Sequence, residues 1–140
     1  MWTTNYSAET ALPRAAVWRA IEALHRGKLT YDGADVFELL GPFEVGTQLD
    51  VTPEGQDTFR STIIELVEDE LYADSTTYEG LTLLFRHTLE DVPEGTRVTH
   101  TLEIHGPAAE QVGPDLGPQI SDDFGTSMAA LFSEAAKMRA

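Results

Sequence analysis

Two histidines set the chemical question in this chain. They lie in "LFRHTLEDVPEGTRVTHTLEIHG", Leu84 to Gly106, which reads as two strands joined by a tight turn. His87 falls on the beat of Phe85 and Leu89, and His100 on the beat of Val98, Leu102 and Ile104. Strand side chains alternate between faces, so both imidazoles belong to the apolar face of one hairpin. A four-residue loop from Val92 to Gly95 puts His87 opposite His100. A two-residue turn at Glu94-Gly95 puts Leu89 there instead. Either register leaves the rings neighbours, directly or diagonally, and only an added bulge sends one outward.

Four roles suit such a pair. The rings can be neutral and structural, hydrogen-bonded to each other, to Tyr78 or to trapped water. They can line a pocket and hold the polar groups of an otherwise apolar ligand. One can act as general acid or base on a bound carbonyl. They can ligate a metal, but zinc typically wants three or more protein ligands and no third presents itself, so no metal is expected. Two facing imidazoles cannot both be charged cheaply, so one should stay neutral near pH 7.

Other candidates are softer. Tyr72, Asp74, Thr76 and Tyr78 share one face of "LYADSTTYEG". The expectation is a solvated strand face, the alternative a set of hydroxyls and a carboxylate turned into a cavity. Phe124, Met128 and Leu131 should face the core, and Trp18 should be a packing residue. G-x-G-x-x-G, P-loop, G-x-S-x-G and H-E-x-x-H patterns are absent. Without cysteine there is no disulfide, thiolate metal site or cysteine nucleophile.

The elements that would position these residues follow from periodicity. Trp2 to Glu9 alternates as a strand. "ALPRAAVWRAIEALHRG" reads as a helix, with Pro13 in its first turn, Val17, Ile21 and Leu24 as its stripe, and Gly27 as its stop. From Asp35 to Gly106 the pattern is almost wholly strand-like, with short connections that imply an antiparallel meander of six strands. "GPAAEQVGPDLGP" reads as a loop. From about Leu116 to Ala140, Ile120, Phe124, Met128, Leu131, Ala135 and Met138 recur at helical spacing, with Phe132 widening the face. Gly125 interrupts that helix at a cost of about 1 kcal/mol relative to alanine. A seven-stranded sheet must cover its apolar face, and this helix is the available cover.

Bulk properties narrow the partners. The 140 residues suit one domain. The formal charge is −15, with nine Lys and Arg against 24 carboxylates, and no basic stripe exists to neutralise phosphates. Nucleic acid and anionic membranes are therefore not expected partners. No apolar run approaches the roughly 20 residues that span a bilayer, so membrane insertion is not expected. "MWTTNYSAET" lacks a basic start and an apolar h-region, which makes the cytoplasm the default expectation. Adaptation to high salt is a sharper reading of the acidic, lysine-poor composition; a well-solvated surface is the simpler one.

In this order the segments resemble the SRPBCC superfamily, also called START-like or helix-grip proteins. "LPRAAVWRAI" is similar to the opening of its first helix, and "LLGPFEVGTQLDVTPEG" to its Gly-rich hairpin between second and third strands. "FRHTLEDVPEGTRVTHTLEIHGP" resembles the last hairpin of the bacterial polyketide-cyclase-like branch, and "LGPQISDDF" the start of its closing helix. Many relatives carry tryptophans after the first helix where this chain reads "HRGKLTYDGADV", leaving Tyr31 as their candidate replacement. The resemblance spans nearly the whole chain. It implies an α+β helix-grip fold: a seven-stranded antiparallel sheet curled around a long C-terminal helix, with two short helices after the first strand. Loops such as "GPFEVG" and Gly106 to Gly117 would border a pocket mouth.

The expected function is binding of a small, mostly hydrophobic molecule between sheet and helix. His87, His100, Phe85, Leu102, Tyr78, Phe124, Met128 and Leu131 would hold it, without cofactor, in a monomer or homodimer. One alternative is a polyketide cyclase- or aromatase-like enzyme using His87 or His100 as acid or base. Another is a protein–protein interaction module with a closed core.

Overall fold

The computed structural model describes residues 1–139. Its elements are β1 (Trp2–Thr10), α1 (Arg14–His25), β2 (Val36–Leu39), β3 (Gln48–Thr52), β4 (Phe59–Val67), β5 (Leu71–Tyr78), β6 (Leu81–Val92), β7 (Gly95–His105), α2 (Ala109–Ser121) and α3 (Phe124–Arg139). The seven strands form one antiparallel sheet in the order β1-β7-β6-β5-β4-β3-β2. Short connections produce the meander from β2 to β7, and β1 joins its far side against β7.

Apolar side chains of the sheet meet the helices in two clusters. In the first, Val17 and Ile21 of α1 and Met128, Leu131 and Ala135 of α3 pack with Leu49, Ile63, Tyr72, Leu89 and Val98. In the second, Phe124 and Ala109 pack with Leu81, Leu83, Leu102 and Ile104. Trp18 is buried in the first cluster, as a packing residue should be.

A single helix, not two, follows the first strand. Lys28 N–H donates to Ala23 O and Gly27 N–H to Leu24 O, with Gly27 at φ 75°. This is a Schellman stop, which left-handed glycine makes possible. The following residues turn toward β2 without forming another helix.

The closing helix also differs from expectation. It is two helices, divided at Asp122-Asp123, and the stretch expected as a loop is helical from Ala109. Pro114 and Pro118 lie inside α2 on its exposed side. Ala108, Val112, Leu116 and Ile120 repeat every four residues and pack against the second cluster. That apolar stripe outweighs the two backbone hydrogen bonds the prolines cannot donate. Met138 is 45% exposed, so the buried stripe ends at Ala135. Ala140, placed in the expected helix, lies outside the described residues.

Gly113 and Gly117 form a flat strip on α2 against which the indole of Trp2 lies. A Cβ at either position would run into that ring. Gly117→Ala gains about 1 kcal/mol in helix propensity but overpacks the contact, at a cost of about 1–3 kcal/mol. Net destabilisation is the expected result in urea denaturation. A variant more stable than the parent would show that the indole is free to move.

Candidate functional site

The hairpin closes at Pro93-Glu94, with Val92 opposite Gly95, and the register carries His87 directly opposite His100. This is the first of the two expected alignments. The rings do not hydrogen-bond to each other. They stack, with centroids 4.0 Å apart and planes 19° apart. His100 stacks in turn on Phe124 of α3 at 3.9 Å. Nδ1 of His87 and Nε2 of His100 are buried with no hydrogen-bond partner among the described residues.

A third imidazole, missed in the sequence, joins them. His25 ends α1 one helical turn beyond Ile21, and its Nδ1–H donates to Ile21 O at 2.7 Å. That bond leaves Nε2 as the acceptor in the neutral ring. Its ring lies 3.9 Å from Tyr72 and meets His87 edge-on at 5.7 Å. Burial holds all three imidazoles neutral. It lowers His25 to about 4 and His100 to about 3, with His25 adding to the effect on His100. His87 is pushed well below the ordinary range by burial first, then by His100 and His25. Among the described residues no group of three or more His, Asp or Glu is arranged to hold a metal ion.

The face of β5 is a correction. Tyr72, Asp74 and Thr76 are buried rather than solvated. The register sets Tyr72 opposite His87, Asp74 opposite Phe85 and Thr76 opposite Leu83. Cross-strand partners share a face, so these polar groups point where the apolar beat of β6 points. Tyr72 O–H donates to Asp74 Oδ2 at 2.8 Å. Burial raises the Asp74 carboxyl to about 7, against the opposing hydrogen bond from Tyr72 and with a further push from Asp35. Burial, followed by Asp74, raises the Tyr72 hydroxyl above its ordinary range.

These groups border a cavity of about 630 Å³ between the sheet and the C-terminal helices. Five expected ligand-binding residues line it: His87, His100, Phe85, Tyr78 and Phe124. Leu102, Met128 and Leu131 do not; they are buried in the two apolar clusters behind the wall. The surface that His87 and His100 retain faces this cavity. Tyr31 also reaches the wall. Burial raises its hydroxyl above the ordinary range, against a hydrogen bond with Ser127. His25, Asp74, the carboxylates of Asp35, Asp122 and Asp123, and the uncharged Gln56, Ser61, Thr76, Gln119 and Ser127 make up the rest of the polar lining.

No family model matches the sequence, and no curated protein matches it. Solved structures do. TTHA0849 from Thermus thermophilus has 12% identity and a TM-score of 0.75, over 99% of both chains. Norcoclaurine synthase from Thalictrum flavum, solved in complex with dopamine and hydroxybenzaldehyde, has 17% identity and a TM-score of 0.69, over 99% of this chain and 87% of that one. Ara h 8.0201 has 17% identity and a TM-score of 0.67, over 96% of this chain and 97% of that one. At such identities the likeness establishes fold, not activity.

Proposed function

We propose that this chain, a helix-grip fold of the SRPBCC, Bet v1-like type, binds a small and largely apolar molecule in the cavity between its sheet and C-terminal helices. The observation that carries this reading is the cavity. Its volume of about 630 Å³ falls within the range of small-molecule sites, and a wall that combines aromatic and aliphatic side chains with converging polar groups suits such a ligand. His87 and His100 orient the ligand's polar groups through the ring nitrogens opposite the buried, unpartnered ones. Phe85, Tyr78 and Phe124 supply apolar contact, worth about 25 cal/mol per Å² of ligand area before ordering costs. The norcoclaurine synthase complex, which holds two small aromatic molecules, is consistent with this use of the fold. Among the described residues no helix is long and apolar enough to cross a membrane. The reading takes the chain as a cytoplasmic monomer or homodimer.

A second reading, a cyclase- or aromatase-like enzyme, is favoured by Asp74. A buried carboxyl raised to about 7 is matched to proton transfer at neutral pH, and it lines the same cavity as the imidazoles. The closed-core interaction module draws no support from a cavity of this volume. Native mass spectrometry of the protein after incubation with extract of its source cells tests the cavity reading. The expected result is a bound species of roughly 200 to 600 Da, a size suited to such a pocket. A bare mass across repeated extracts would sink it. Asp74→Asn then separates the readings. A carrier loses affinity, whereas an enzyme keeps binding and loses turnover by about 10²-fold or more.

A further inference from the structure

The carboxylates of the cavity have no cation to answer them. Asp35, Asp74, Asp122 and Asp123 all line it, and among the described residues no Lys or Arg does. Five of the arginines are engaged elsewhere: Arg14 with Asp91, Arg26 with Glu22, Arg60 with Asp50, Arg86 with Glu65 and Glu103, and Arg97 with Glu9 and Glu90. None of the four cavity aspartates takes part in a salt bridge among the described residues. They act on one another instead. Asp35 acts on Asp74, Asp123 on Asp35, and Asp122 on Asp123.

Asp74 is buried, at 5% exposure, and Asp35 is half-buried, whereas Asp122 and Asp123 are exposed at the cavity's edge, where water also meets them. Tyr72 engages one of its oxygens, which leaves the other to the cavity. A carboxylate held so far from water is costly unless something of opposite charge or a hydrogen-bond donor meets it. The rest of the wall suits a cation too. Aromatic faces attract positive charge, and Tyr31, Phe37, Phe59, Tyr78 and Phe85 all border the space. The imidazoles, held neutral by burial, do not repel it.

We infer that the ligand of this cavity carries a protonated amine on an apolar, ring-sized body, with the ammonium among Asp35, Asp74 and Asp123 and the body against the aromatic wall. This rests on the small-molecule reading and sharpens it. An anionic or uncharged molecule of the same shape leaves the carboxylates unanswered.

The test is calorimetric titration of the purified full chain at pH 8 with three probes of matched shape: tryptamine, tryptophol and indole-3-propionate. Tryptamine is expected to bind at least about ten-fold more tightly than tryptophol, with indole-3-propionate weakest. In the double variant D35N/D74N, which keeps side-chain shape, that preference should fall toward parity, chiefly through loss of tryptamine affinity. Tryptophol binding as tightly as tryptamine, or the propionate binding best, overturns the amine inference and leaves the small-molecule reading standing. Failure of all three at millimolar concentration also overturns the amine inference for a ring of this size, and the mass spectra then decide the small-molecule reading.

Discussion

Between pH 6.5 and pH 4 the protein will lose several kcal/mol of stability, and His100→Phe will make that loss shallower. His25, His87 and His100 are all depressed below the ordinary imidazole value, His25 to about 4 and His100 to about 3. An imidazole with a depressed value in the fold takes up its proton first in the unfolded chain. Each therefore favours unfolding as pH falls below about 6.5, by about 1.4 kcal/mol per pH unit. Asp74, Asp35 and Asp123 are raised and work in the opposite direction, since they take up protons first in the fold. Three imidazoles against one fully shifted and two lesser carboxyls leave a net fall. His100 stacks between His87 and Phe124, so phenylalanine keeps the ring contact and removes one titrating site. Urea denaturation at half-unit pH steps should show the slope reduced by about 1.4 kcal/mol per pH unit. An unchanged slope would mean that His100 titrates normally in the fold.

Asp74→Asn should stabilise the protein, and only as pH rises. The carboxyl is raised from 3.8 to about 7 in the fold. Below pH 4 it is protonated in both states and the substitution is nearly neutral. Above that, the unfolded chain ionises first and the fold loses stability, until the effect levels off beyond pH 7 at roughly 4 kcal/mol. Asparagine can still accept the Tyr72 hydroxyl and removes that loss. Thermal melts at pH 4 and pH 8 should diverge, with the variant several degrees higher at pH 8. A variant that melts lower at pH 8 would show that Asp74 is ionised and well answered in the fold. A buried carboxylate that destabilises its own fold and borders a cavity is a mark of function rather than packing.

The sheet was legible because alternation and short connections survive at the level of single residues. The alignment of His87 with His100 was one of two registers that the spacing across the turn allowed, and the pairing of Val92 with Gly95 selects it. What the sequence hid was which way β5 faces. Tyr72, Asp74 and Thr76 read as polar and therefore outward, and only the pairing with His87, Phe85 and Leu83 turns them inward. His25 left a trace, since it continues the Val17–Ile21 stripe by one turn, but its position beside the helix stop disguised it. In α2 the Gly and Pro content masked the four-residue repeat from Ala108 to Ile120. The glycines there answer Trp2, a residue at the opposite end of the chain, and no local pattern contains that contact.

The place of β1 has a consequence for the order of assembly. Trp2 pairs with Ile104 and Thr10 with Thr96, so the first of the seven strands has its only sheet partner in the last one. The hairpins from β2 to β7 close over local connections, whereas β1 and β7 must meet across most of the chain. The N-terminal strand must wait, its apolar side chains unmatched, until residue 105 is free. The cavity itself is complete only once Leu116 to Ser127 of the C-terminal helices are also in place. The protein is built so that the step that seals the sheet is also among the last it takes.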